Sequence, residues 1–367
     1  MSGTSHARGG DTAIIAIFLA VIGTPLVAMA VAQVGFGLAP VSEVRDASVL
    51  PRPIVTYGRF RAYFEDHFIG RPALVQAHAD FRRNVLGASP SVRVAYGRDR
   101  MLFYTDEIEL ACSRHSQFTE AQLAEWASAL QARHDLVERR GGRYLFVVAP
   151  DKHTIYEDKV PDIMRPVRPA SRLDQLLEYL QARTTVNVVD LRPALRLART
   201  SGPVYFRTDT HWNSTGALVA SQVIASRLSQ WFPSIRPPER AEYEVSRRTY
   251  DGDLGTFIGT PDELGEEYEQ LEPIVRRARF FMPNGQEVPD AVRLHIPAIL
   301  SSLPAASPGK LVVFRDSFGR ALLPHLAGYF QNGTYLWSRF DAAMVENLRP
   351  TVVIDQIVER ALMLITP

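Results

Sequence analysis

One cysteine, Cys112, is all the thiol chemistry this chain of 367 residues has. That excludes an intrachain disulfide and any zinc or iron–sulfur site built from several cysteines. No CxxC or catalytic-cysteine pattern surrounds it, so it reads as a small, partly buried hydrophobe. Charge of one sign is lacking too: 41 basic against 40 acidic residues leave a net charge of +1. Such a balance gives no field for gathering nucleic acid. There is no HExxH pair and no companion histidine cluster, so Asp209-x-His211 alone makes a weak metal site, and neither a metal nor another cofactor is expected. The GxSxG elbow of many serine hydrolases is missing, as is any repeat of solenoid period.

Long apolar runs are absent except at one place. Residues 12–32 carry no charge, and a helix of that length spans about 30 Å, the thickness of a bilayer core. Arg8 before it predicts a cytoplasmic N-terminus and an exported remainder. Small-x-small triplets at 28–30 and 30–32 also fit a cleaved signal peptide, but the length of the run favours an uncleaved anchor. In a bacterium this places the main domain in the periplasm, tethered to the inner membrane.

Three regions follow from the pattern. Residues 1–35 are the anchor or signal; 36–95 are a linker and an amphipathic helical segment, with aromatics at 60, 63, 64 and 68 on helical spacing. Residues 96–367 form the globular domain. Within it, Thr119-Glu120-Ala121-Gln122 is a capping box opening a helix to about Arg140, which Gly141-Gly142 stops. The run 144–149 reads as a strand buried on both faces, 171–183 as a helix, 186–191 as a strand and 216–228 as a helix. From about 233 to 308 the sequence is rich in Pro, Gly and charge and reads as an insertion of short strands or loops. A strand at 311–314, helix 321–330, strand 334–337, helix 342–348 and strand 351–357 complete the chain. This alternation predicts an α/β fold with a parallel sheet flanked by helices.

The chemistry concentrates in two short stretches. Asp209 and His211 lie two positions apart just before a helix; in an extended segment both side chains point the same way, so the carboxylate can hold one imidazole nitrogen while the other faces a nucleophile. Taken alone they are equally compatible with a capped helix and a surface histidine. Ser317 directly follows a buried-type strand and precedes Gly319 and a helix, a strand-to-helix turn that exposes a hydroxyl at the carboxyl edge of a sheet, although a plain helix cap has the same pattern. Lys152 ends the strand at 144–149, where open α/β sheets tend to bind ligands. Trp212 has the ring to stack on a sugar, but an aromatic beside a helix start is more often core.

The paired motifs Asp209-Thr210-His211-Trp212 and Arg315-Asp316-Ser317-Phe318-Gly319, in that order, resemble the alginate O-acetyltransferase family of SGNH-type enzymes. Weaker matches are Tyr96-Gly97, Pro150-Asp151-Lys152, Gly252-Asp253-Leu254-Gly255 and Glu359-Arg360, so the resemblance extends from about Phe60 to Leu362. It implies an SGNH-like, flavodoxin-like fold whose motif order is circularly permuted, with Ser317 as nucleophile, His211 as base and Asp209 as its partner. Asp-x-His replaces the Asp-x-x-His of ordinary SGNH hydrolases, and their oxyanion-hole blocks are not evident. The backbone N–H groups of Ser317 and Phe318 and the side chain of Arg339 are candidate oxyanion donors. The implied activity is transfer of an acetyl group through an acetyl-serine to hydroxyls of an exopolysaccharide, with a membrane-bound O-acyltransferase supplying acetyl groups. A carbohydrate esterase and a non-catalytic polysaccharide-holding component are the alternatives.

Overall fold

Local pattern accounts for the first elements. Strands β1 (Val94–Tyr96) and β2 (Leu102–Tyr104) form an antiparallel hairpin with Ala95 opposite Phe103, turned by Asp99 and Arg100 at φ of 55° and 59°. Helix α1 (Glu120–Arg139) opens on a reciprocal cap: Gln122 N–H donates to Thr119 Oγ1 at 3.3 Å and Thr119 N–H to Gln122 Oε1 at 2.9 Å. Leu123, Trp126, Leu130 and Val137 bury one stripe of it, and Gly141, at φ +79°, ends it in the left-handed region that suits glycine.

Strand β3 (Arg143–Ala149) is buried from Tyr144 onward, as a strand covered on both faces must be. Helix α2 (Arg172–Arg183), strand β4 (Val188–Asp190), helix α3 (Arg192–Ala198) and helix α4 (Ser214–Ser229) follow. Asn213 caps α4, accepting Gly216 N–H at 3.0 Å. Strands β5 (Tyr243–Tyr250) and β6 (Glu266–Pro273) make a separate antiparallel hairpin. Strands β7 (Arg279–Phe281), β8 (Ala298–Ser302), β9 (Lys310–Phe314) and β10 (Asn332–Leu336), helix α5 (Ala342–Leu348) and strand β11 (Val352–Val358) complete the order.

The central sheet has seven strands in the order β4-β3-β11-β9-β10-β8-β7. The strands from β4 to β10 run parallel, whereas β8 and β7 are antiparallel to their neighbours. The expectation of a wholly parallel sheet is therefore corrected to a mixed one. The added strands come from the 233–308 stretch, whose β8 immediately precedes β9 in sequence but pairs with β10, lying in the opposite sense at the edge where antiparallel additions are common. A second correction concerns the single helix expected over 321–330. The chain there forms a 3-10 segment (Phe318–Leu322), one α turn (Leu323–Leu326) and another 3-10 turn (Ala327–Tyr329). Pro324 lacks the N–H that a continuous helix would need.

Side-chain alternation along β3 divides the core. Tyr144, Phe146 and Val148 pack with Leu130, Leu176 and Val353 under α1, α2 and α5. Leu145, Val147 and Ala149 face Leu195, Trp212, Ile224 and Phe318 on the opposite side. Fully burying each such side chain contributes about 1.5–3 kcal/mol.

The structure is a computed structural model that describes residues 91–106, 117–162, 170–258, 265–275, 277–288, 296–304 and 309–364, with positions 77, 81 and 306 besides. All but 77 and 81 fall in the second of two units, 88–367. The apolar run at 12–32, most of the helical segment expected between 60 and 86, and Cys112 lie outside the described residues. Among the described residues no helix is long and apolar enough to cross a membrane.

Candidate active site

Ser317 leaves the carboxyl end of β9 one turn after its last residue and starts the 3-10 segment, with its own backbone helical at φ −62° and ψ −33°. The turn is fixed by Asp316, whose Oδ1 accepts Phe318 N–H and Gln356 Nε2–H, each at 2.9 Å, and whose Oδ2 accepts Val358 N–H at 2.5 Å. Gln356 and Val358 belong to β11, the strand beside β9. Gly319 is required here because a Cβ would lie 2.5 Å from Gln356 Oε1 and 2.6 Å from Arg315 Cβ.

Asp209 and His211 sit on a tight loop closed by the antiparallel bridge between Tyr205 and Trp212. Phe206 N–H donates to His211 O at 3.1 Å across its neck. The extended geometry expected from the spacing is replaced by a bend. Asp209 Oδ1 accepts both the backbone N–H of His211 at 2.7 Å and its ring Nδ1–H at 2.7 Å. With that proton on Nδ1, Nε2 is left to accept the Ser317 hydroxyl, and Ser317 Oγ lies 2.8 Å away. The two motifs, 106 positions apart, therefore meet in one continuous line of hydrogen bonds.

Asp209 is nearly buried, at 1% exposure. Burial alone would raise its pKa, but the hydrogen bonds from His211 and Asp253 N–H outweigh it and hold the carboxyl well below the usual range. Its Oδ2 accepts Tyr250 O–H at 2.8 Å and Asp253 N–H at 3.0 Å. Burial first, and the negative charge of Asp209 second, raise the Tyr250 phenol, so it remains a donor at neutral pH. Asp253 in turn accepts Thr210 N–H at 2.9 Å and Thr210 Oγ1–H at 2.7 Å. Gly252 lets these segments touch: a Cβ there would stand 2.0 Å from Thr208 O. Glu266, from β6, accepts Arg207 N–H, Thr208 N–H and Thr208 Oγ1–H at 2.6–2.7 Å.

The remaining sequence candidates divide. Lys152 does not face the cleft; it is buried beneath the loop, donating to Leu102 O at 2.6 Å, Arg207 O at 2.8 Å and Asp209 O at 2.9 Å. Phe318 is buried, its ring 4.6 Å from the His211 ring and 5.1 Å from Trp212, and its N–H is bound to Asp316 rather than open to an oxyanion. Trp212 is 2% exposed and packs as a core residue. Arg339 is exposed and its charge acts on Asp355 of β11; the residues lining the cleft beside Ser317 do not include it. Tyr250, Asp253 and Glu266 were not singled out by role. The Gly252-Asp253 pair gave a partial signal for the first two; nothing local marks Glu266.

The cleft over Ser317 holds about 190 Å³ and is walled by Phe206, Tyr250, Tyr268, Gln270, Arg320 and His325, among others. Ligand atoms of Asp209, His211 and Asp253 lie within 4.8 Å of one another. A cation there would have to displace the donors already on both oxygens of Asp209, so the set is better suited to holding a proton relay. The arrangement can take the proton from Ser317 Oγ and present the oxygen to an electrophile in the cleft.

Fold and site together define an SGNH-like α/β domain with a Ser-His-Asp constellation. Residues 94–281, just over half of the chain, match the family model for the SGNH hydrolase-like domain of acetyltransferase AlgX, and the chain belongs to that family. The match holds Asp209 and His211; Ser317 lies beyond it and joins through space. Among curated proteins, a probable alginate O-acetylase AlgJ of Pseudomonas aeruginosa is 30% identical over 202 residues, covering 53% of this chain and 49% of that protein. The AlgJ of Pseudomonas syringae pv. tomato is 31% identical over 166 residues, 45% of this chain and 41% of that one. The matches thus span less than half the length of these relatives. Among solved structures, Bacillus cereus PatB1 with a sulfonyl adduct aligns with a TM-score of 0.55 at 16% identity, over 73% of this chain and 95% of that one. A DHHW family protein from Eubacterium siraeum aligns at 0.53 and 16% identity, over 74% and 91%. These two likenesses bear on the fold.

Proposed function

We propose that the domain is an O-acetyltransferase that carries an acetyl group on Ser317 and passes it to hydroxyls of an exported polysaccharide. The observation that carries this reading is the line Asp209–His211–Ser317, with contacts of 2.7 and 2.8 Å. Relatives named as alginate O-acetylases support the acceptor class. His211 Nε2 takes the Ser317 proton as Oγ attacks the acetyl carbonyl, and Asp209 stabilises the imidazolium that forms. The imidazolium returns its proton to the leaving group as the donor's acyl bond breaks, leaving acetyl-serine. A sugar hydroxyl, deprotonated by the same histidine, then attacks, and Ser317 departs with the proton restored. The apolar run at 12–32 supports a periplasmic domain anchored in the inner membrane, and a membrane-bound O-acyltransferase would supply acetyl groups from the other side.

The test is to incubate the full chain with an activated acetyl ester and seek an acetyl adduct on Ser317 by mass spectrometry. The adduct should be absent in Ser317→Ala, which has no hydroxyl to acylate, and should form about 10⁴-fold more slowly in His211→Ala, which lacks the base. A wild-type chain that never acquires the adduct would remove the reading. An adduct discharged to water at the same rate with and without oligosaccharide would make the domain an esterase.

A further inference from the structure

We infer that Arg320 is a catalytic residue whose guanidinium holds the oxyanion formed when Ser317 attacks the acetyl carbonyl. The inference rests on the acetyltransferase reading and supplies a part of that chemistry the proton relay lacks. As the Oγ–C bond forms and the Ser317 proton passes to His211 Nε2, the carbonyl π pair moves onto oxygen. When it returns, the bond to the leaving group breaks and His211 gives that group its proton. Asp209 and His211 manage the proton and not the charge on this oxygen, and donors aimed at such an oxygen are the largest single contribution in many enzymes.

The donors expected from the sequence meet little of this need. Phe318 N–H is bound to Asp316 and Arg339 does not line the cleft, which leaves the Ser317 N–H. The uncharged side-chain donors around the cleft are already fixed on protein acceptors: Tyr250 O–H on Asp209, Tyr268 O–H and Ser214 O–H on Gln270 Oε1, Gln270 Nε2–H on Glu272, and Asn213 Nδ2–H on Pro203 O. The Trp212 indole N–H is closed off inside the core, where no atom entering the cleft reaches it.

Arg320 is the one arginine or lysine among the described residues lining this cleft. The turn itself puts it there. Ser317 opens the 3-10 segment Phe318–Leu322, and Arg320 N–H donates to Ser317 O at 3.3 Å. With three residues per turn, side chains three positions apart lie one above the other, so Arg320 stands over Ser317 where both border the cleft. Its positive charge reaches the Tyr250 hydroxyl, partly countering the burial and the Asp209 charge that raise that phenol. A guanidinium carries five N–H donors, enough to serve an oxyanion beside the contact Arg320 keeps within the protein. Hydrogen bonds from such a charged donor are roughly twice as strong as neutral ones.

The experiment follows the burst of p-nitrophenol as p-nitrophenyl acetate acylates Ser317 in the full chain, without glycan, in wild type, Arg320→Ala and Arg320→Lys. The burst rate at saturating ester should fall about 10²–10³-fold in Arg320→Ala, with the half-saturating ester concentration little changed. Guanidinium ion, added well below denaturing concentration, should restore part of that rate, a result that a merely structural role would not give. Arg320→Lys keeps the charge and the stem without the planar fork and should retain more of the rate than Arg320→Ala. A burst at the wild-type rate in Arg320→Ala overturns the inference, and so does a loss that guanidinium does not relieve or that Arg320→Lys does not lessen. Normal acylation with impaired transfer to an oligosaccharide also overturns it, and assigns Arg320 to the acceptor instead. A wild-type chain that never acquires the Ser317 adduct overturns the acetyltransferase reading beneath it, and the inference with it.

Discussion

The loop at 205–212 and the turn at 315–318 carry two halves of one proton relay, yet they are held by different means. The loop lies in no ladder beyond its own closing bridge among the described residues and takes only isolated backbone bonds, from Leu102 N–H of β2 to Arg207 O and from Leu254 and Gly255 N–H to Thr208 O. It is therefore fastened chiefly by side chains from far along the chain: Lys152 from below, Glu266 from β6, Tyr250 and Asp253 from the end of β5 and after it. The turn grows out of β9 in mid-sheet and is fixed by Asp316 gripping β11, its ladder neighbour. A segment on a sheet edge takes its position from the ladder. A free loop must be given one, and the buried polar groups that do so are costly to lose because each leaves an unpaired partner.

That contrast is broken most severely at Lys152. Lys152→Met keeps the apolar stem but takes the ammonium donor from the carbonyls of Leu102, Arg207 and Asp209, of which Arg207 O keeps Leu102 N–H. The loss should be about 3–5 kcal/mol, at roughly 1–3 kcal/mol for each carbonyl left unpaired, a large share of the stability of an ordinary domain, seen as a steep fall in chemical-denaturation midpoint and loss of Ser317 acetylation. A variant within about 1 kcal/mol of wild type would show that the loop stands without its central pin. The turn should suffer less. Asp316→Ala removes acceptors for Phe318 N–H, Val358 N–H and Gln356, but the β9–β11 ladder persists. The expected cost is about 2–3 kcal/mol by the same measurement, with Ser317 acetylation slowed and not abolished. Equal losses at the two positions would erase the distinction between them.

The same contrast explains what could be read from the chain. Strands β3, β9 and β11 and the helices after Thr119 and Ser171 are written in local pattern and caps, because burial on both faces leaves continuous apolar runs and a capping box is a four-residue signal. Ser317 and the Asp209–His211 pair were legible for a related reason: each motif is short and contiguous. The fasteners were not. Lys152 looked like a ligand group at a strand end because nothing local says that its ammonium is aimed at three carbonyls. Glu266 is one glutamate in the run Glu266-Glu267-Tyr268-Glu269, indistinguishable by sequence from its solvated neighbours. The sense of β8 escaped as well, since pairing with β10 and not β9 is decided by the sheet's edge and leaves no mark on the residues of β8.

The finest probe of the comparison is Tyr250. Its hydroxyl donates to Asp209 Oδ2 beside Asp253 N–H, and its ring rests on Phe206. Tyr250→Phe deletes the hydroxyl and keeps the ring, so the loop retains Lys152, Glu266 and Asp253 while the carboxylate loses one donor. If the loop is secured chiefly from below, its stability should change by under about 1.5 kcal/mol, the net worth of a single hydrogen bond. The carboxylate, however, orients the imidazole that must reach Ser317, and a small displacement there is felt in the rate. Ser317 acetylation by an activated ester should slow roughly tenfold with little change in melting temperature. Acetylation at the wild-type rate would mean that the backbone N–H groups of His211 and Asp253 suffice to hold Asp209 in register, and that Tyr250 serves the aromatic wall of the cleft instead.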